Sequence, residues 1–172
     1  MNKDKSALLQ PVDESALKLA AQLLAQSPLA ALAVLEPGTG YPMVSRVTVA
    51  CAADGTPLLL LSQLSAHTQA LSSDPRCSLL LGEPGSGDPL AHPRITVFGQ
   101  AQPVARDAPE HAQLRGRFLA RHPKAAFYAD FGDFGFWRLV AYGANMNAGF
   151  GRAYLIEQAP LKVALRLAAD AT

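Results

Sequence analysis

The chain has 172 residues, 49% of them hydrophobic and 17% charged, with a formal net charge of +1. That length suits one domain with a real core, and the composition excludes a disordered polymer. Near neutrality argues against a large electrostatic footprint for nucleic acid. Two cysteines, Cys51 and Cys77, give neither a disulfide framework nor zinc spacing, so a reducing compartment is expected.

The first ten residues are polar and charged before Leu8 and lack the apolar core of a secretory signal. No apolar run is long enough to span a membrane. These features predict a soluble cytoplasmic protein with no membrane partner.

A helix is predicted over residues 13–27. Asp13 caps it, Glu14 suits its first turn, and Leu17, Ala20, Ala21 and Leu24 recur at helical spacing. Leu29 to Leu35 reads as a strand. A second strand follows from Pro42 to Ala52, with Val47 and Val49 on one face and Val44, Arg46, Thr48 and Ala50 on the other. Asp54-Gly55 signals a hairpin, and Leu58 to Leu61 returns beside the second strand. That hairpin would set Arg46 next to the strand that leads into Ser62, Ser65 and His67. Arg46 is a lone guanidinium among valines. It needs water, a carboxylate or an anionic ligand such as a phosphate.

Ser65 is placed to cap a short helix with His67 and Thr68 in its first turn. A helix N-terminus with such residues suits an anion, although on these residues alone an ordinary capped helix is the preferred reading. Cys77 to Gly82 and Arg94 to Arg106 read as strands, separated by a proline-rich loop. Ala108 to Arg121 is helical, with Leu114, Phe118 and Leu119 inward and Arg115, Arg117 and Arg121 on a solvated face. The cluster of Phe127, Tyr128, Phe131, Phe134, Phe136 and Trp137 is expected in a core or an oligomer interface. Phe136 to Tyr142 and Arg152 to Ile156 are the last strands, and the small residues from Gly143 to Gly151 separate them. Leu161 to Ala169 forms an amphipathic tail. Six to seven strands with short connections and peripheral helices predict a mainly β (α+β) antiparallel barrel, as a single domain over the whole chain.

A phosphate-binding P-loop, a Rossmann glycine fingerprint and a nucleophile elbow are all missing. The four histidines form no metal-ligand pair, and no paired acids occupy a cleft strand. Redox chemistry would therefore come from a cofactor.

Three segments resemble the pyridoxamine 5′-phosphate oxidase-related flavoproteins: Pro42 to Val49, Leu59 to Leu71 and Asp74 to Leu81. Four more, Gly87 to Leu90, Arg121 to Pro123, Asp130 to Phe134 and Gly149 to Tyr154, resemble the haem-utilisation (HugZ-type) branch. The resemblance implies a split β-barrel homodimer with FMN in clefts at the dimer interface. By position, Arg46, Val47, Thr48 and Val49 would lie along the flavin, with Arg46 on its phosphate. Leu61, Ser62, His67 and Thr68 would complete that end of the site, and Asn147 and Arg152 would approach from the C-terminal strands. Ala66 and His67 stand where the oxidase carries a basic pair. Haem-degrading members ligate iron through a histidine near the C-terminus, and here none follows His122.

The resulting expectation is an FMN-dependent oxidoreductase acting on a small molecule. The alternatives are a haem-binding or haem-degrading protein on the same fold, and a non-catalytic flavin-binding dimer.

Overall fold

The computed structural model describes residues 9–171, so the polar segment ahead of Leu9 lies outside the described residues. Helix α1 runs Glu14–Gln26, with the Asp13 carboxylate accepting from the Ala16 N–H at 2.8 Å, as the cap signal predicts. The strands are β1 (Leu29–Leu35), β2 (Pro42–Cys51), β3 (Pro57–Ser62), β4 (Arg76–Leu81), β5 (Arg94–Pro103), β6 (Phe134–Asn147) and β7 (Ala153–Glu157). Helix α2 is Ala66–Ser73, α3 is His111–Arg121 and α4 is Gln158–Asp170.

The sheet order is β3-β2-β1-β4-β5-β6-β7, neighbouring strands run antiparallel, and β3 also pairs with β6. That second pairing closes six strands into a barrel and leaves β7 as an extra strand on β6. This is the antiparallel barrel with peripheral helices that the strand count predicts.

The core divides in two. Inside the barrel lie Leu32, Val47, Val49, Leu59, Leu61, Leu79, Ile95, Val97 and Leu139, plugged by Leu71 of α2. Outside it, Ala50, Leu58, Leu60 and Phe136 pack beneath Leu114 and Phe118 of α3. Strand β3 is thus covered on both faces, which explains its unbroken leucines: alternation disappears when neither face meets water.

Two stretches differ from expectation. The residues from Gly143 to Asn147 continue strand β6 rather than forming a connection. Small residues are needed there because neighbours crowd the backbone: a Cβ on Gly143 would lie 2.9 Å from the Phe98 ring. Only the next few residues turn, with Gly149 and Gly151 at positive φ. The C-terminal tail is a full helix, α4, which packs on α1 and β6 and buries Leu161, Ala164, Leu165 and Ala168.

The aromatic cluster is also divided. Phe136 is buried under α3, and Tyr128 and Phe134 tilt against each other at 4.9 Å, but Phe127 is 81% exposed.

Candidate functional site

Strand β2 carries Val47 and Val49 into the barrel and Arg46 and Thr48 outward. The β2–β3 ladder covers only Val49–Cys51 and Pro57–Leu59. Its register, continued, would set Arg46 opposite Ser62. Instead the strands part, and Arg46 stands opposite Ala31 of β1. The hairpin therefore brings β2 and β3 together at the turn and separates them at the expected site.

Arg46 is exposed and makes no hydrogen bond or ion pair among the described residues. It borders a groove of about 440 Å³ with Ala31, Val44, Leu80 and Glu83. One pleat further along β1 and β4, a second groove of about 480 Å³ is lined by Ala33, Pro42, Ser78, Phe98, Gln100 and Tyr142. Register places them side by side on one outer face, since Ala31 pairs Leu80 and Ala33 pairs Ser78. The face is apolar and open: Val44 is 64% and Tyr142 47% exposed, with Leu80 and Leu155 also exposed. Arg76 lies at the far end, held by Asp74, and this contact keeps the Asp74 carboxyl down at about 2. Cys77 borders the second groove, but burial pushes its thiol up to about 11, and Cys51 likewise, so neither is a thiolate nucleophile at neutral pH.

The α2 end is built differently from expectation. Ser65 sits at the N-cap, yet its hydroxyl makes no capping bond. It donates to the Ser62 carbonyl at 2.7 Å and shares a 2.8 Å bond with the Thr68 hydroxyl, which is buried. Ser62 donates to the Asp133 carboxylate at 2.6 Å and accepts from the Leu64 N–H. Local side-chain bonds have thus taken the hydroxyls expected to face a ligand. A phosphate on Ser62 would also meet the Asp133 carboxylate, so these hydroxyls fit a dianion poorly.

His67 remains half-buried and without a partner among the described residues. Burial disfavours its charged form and lowers its pKa below the ordinary 6.5. A depressed histidine contributes stability that is intact above about 6.5 and lost as pH falls through its folded value. NMR titration of the His67 ring is expected to give a midpoint below 6.5, and His67→Gln is expected to flatten the acid-side fall in stability. A midpoint at or above 6.5 would show an anion or carboxylate at that ring.

Val47, Val49 and Leu61 are buried in the barrel core, so only their backbone can meet a ligand. Asn147 ends β6 between Arg94 and Ala153, and Arg152 donates to the Ala148 carbonyl across the turn. Asn147 is the last residue of β6 and Arg152 lies in the turn before β7; β6 is linked to β2 through β3 on one side of the barrel and through β5, β4 and β1 on the other.

The other histidines have structural partners: His92 meets the Ser86 carbonyl, His122 the Val49 carbonyl at 2.8 Å, and His111 packs edge-on against Phe136. The basic face of α3 is not simply solvated either. Arg115 forks onto Asp130, Arg117 donates to the Cys51 carbonyl, and Arg121 donates to the Gln26 carbonyl at the end of α1. Among the described residues, no cluster of three metal-ligating side chains occurs, and no helix is long and apolar enough to cross a membrane. Sequence reasoning missed the apolar outer groove. The alternation of Ala31, Ala33, Val44, Ser78 and Leu80 carries part of that signal, but it looks the same as a face covered by a helix.

A six-stranded closed barrel with a plugging helix and an extra edge strand defines the split-barrel class, and similarity to known proteins places the chain in its haem-utilisation branch. The family model of the CREG beta-barrel matches residues 11–161, and the chain belongs to that family. The chloroplastic haem oxygenase HOZ of Arabidopsis thaliana is 42% identical over 117 residues, which cover 67% of this chain. The match spans only 35% of HOZ. A haem-binding protein from Mycobacterium smegmatis is 30% identical with a TM-score of 0.80, covering 88% of this chain and 62% of that one. HutZ from Vibrio cholerae, a haem storage protein, shares the fold at 23% identity and a TM-score of 0.62, covering 73% and 87%.

Proposed function

We propose that the chain binds haem on its outer barrel face, as a homodimer whose second copy covers the porphyrin. The observation that carries this reading is the apolar double groove with an unpartnered arginine on its border. A porphyrin offers two flat apolar faces and an edge of carboxylates. Val44, Leu80, Phe98 and Tyr142 suit the faces, and Arg46 suits a propionate. The relatives named for haem lend it support. Among the residues lining the two grooves none is a histidine, so the binding energy would come from the ring and its carboxylates. Two buried free cysteines suit a reducing compartment such as the cytoplasm.

FMN is the second reading, with oxidoreductase activity on a small molecule. It is favoured by Arg46 on β2 and His67 on α2, the helix that follows β3, two groups that are cationic or can become so and that lack partners among the described residues. In that reading Thr48, Ser62, Thr68, Asn147 and Arg152 border the cofactor, and its isoalloxazine would supply the redox chemistry.

Absorption titration separates the two. Haemin is expected to give a saturable, shifted Soret band, and no shift would overturn the haem reading. Retained or added flavin near one per chain would favour the second reading. Arg46→Ala is expected to weaken the bound cofactor by about 1–2 kcal/mol, roughly five- to thirty-fold in Kd, the exposed guanidinium being partly screened. An unchanged Kd would remove Arg46 from the site.

A further inference from the structure

A separate cleft of about 440 Å³ lies between helix α4, strand β6 and the β2–β3 turn. Its wall on α4 presents Gln158, Lys162 and Arg166, spaced i, i+4 and i+8, so all three share one helix face. Opposite them stand Gln102 of β5 and Arg138 of β6. Arg138 is already engaged: it forms an ion pair with Asp54 and contacts the Thr56 hydroxyl at 3.4 Å. Lys162 and Arg166 have neither a hydrogen bond nor an ion pair among the described residues. Asp170, one turn beyond Arg166, makes no ion pair with it. The cleft thus holds three cations and one carboxylate.

Like charges at i and i+4 repel, and helices ordinarily relieve this with an interleaved acid. Here no acid pairs with either cation among the described residues, while two amides, which can donate, line the same cleft. The opposite wall is also fixed in place. Gly55, between Asp54 and Thr56, sits so close to α4 that a Cβ would fall 1.7 Å from the Leu165 carbonyl oxygen. The cations are therefore presented across a gap of set width, a preorganised geometry for a compact anion.

We infer that this cleft is a binding site for a small polyanion of the phosphate-ester or polycarboxylate kind, held by Lys162 and Arg166 with Gln102 and Gln158 as neutral donors. It lies on other elements than the Arg46 groove of β1, β2 and β4; Gln102 and Val140 neighbour Gln100 and Tyr142 of the second groove, but Lys162 and Arg166 line neither groove.

The test is a ¹H–¹⁵N NMR titration of the full chain with pyrophosphate and, separately, citrate, at fixed ionic strength with chloride as the balancing anion. Saturable shifts confined to Thr56, Gln102 and Gln158 through Arg166 are expected with at least one probe. The Lys162→Ala/Arg166→Ala double variant is expected to weaken that binding by about tenfold or more. It should leave the haemin and FMN titrations unchanged. Both side chains are exposed, so the variant retains the fold, which its unperturbed remaining spectrum checks. No saturable shift with either probe, or equal binding by the double variant, would overturn the site.

Discussion

Phe118→Ala is expected to destabilise the protein by about 3–5 kcal/mol, the range for removing a fully buried aromatic side chain. Phe118 is 0% exposed. Its ring stands edge-on to Phe136 at 5.6 Å and tilts against His122 at 4.9 Å, so alanine would leave a cavity and end two aromatic contacts. It also anchors α3 over the outer face of β2 and β3. With α3 loosened, Arg117 and His122 would lose their hold on the Cys51 and Val49 carbonyls, both on the strand that presents Arg46. Urea unfolding measures the first effect and haemin titration the second. Phe127→Ala is the control: that ring is exposed, and its loss is expected to change stability by no more than about 0.5 kcal/mol. A Phe118→Ala cost below about 1 kcal/mol would mean that α3 does not seal this core.

Gly55→Ala is expected to cost about 2–5 kcal/mol, the sum of a backbone part and a packing part. The left-handed backbone, at φ +80°, contributes about 1–2 kcal/mol for any L side chain. Overpacking against the Leu165 carbonyl adds about 1–3 kcal/mol, because the obstacle is backbone and the helix or the turn must move. Gly38 separates the two contributions. It has φ +93°, but a methyl group there would meet nothing within 4 Å, so Gly38→Ala should show only the backbone part, about 1–2 kcal/mol. Equal unfolding midpoints for the two variants would show that α4 yields freely at the turn. A larger loss at Gly55 would show that the turn and α4 are locked, as the anion cleft requires.

Much of the fold was legible because local chemistry and the final structure agree. Asp13 signals a cap and makes one. Asp54-Gly55 signals a tight hairpin, and Gly55 takes the positive φ that such a turn uses. The alternation of β2 correctly divides Val47 and Val49 from Arg46 and Thr48. The errors arose where a distant segment decides. Gly143 to Asn147 looks like a connection by composition, but β5 and β7 on either side supply the hydrogen bonds that make it a strand. Ser65 looks like a cap by position, but Ser62 and Thr68 offer its hydroxyl closer partners. The three arginines of α3 look solvated because Asp130, Cys51 and Gln26 are 15, 66 and 95 residues away in the chain.

The sequence by itself determined the barrel class, the order of its elements, the outward-facing Arg46 and the family resemblance, since periodicity, turn residues and motif order are local properties of a chain. Only the tertiary structure decided which of those residues meet. Closure of β3 onto β6 buries both faces of the leucine strand, and the early end of the β2–β3 ladder separates Arg46 from Ser62. The outer faces of β1, β2 and β4 stay open as a groove, and packing of α4 on α1 and β6 brings its cations opposite Arg138. Pairing between strands far apart in sequence sets these distances, and a linear pattern of residue types carries no measure of them.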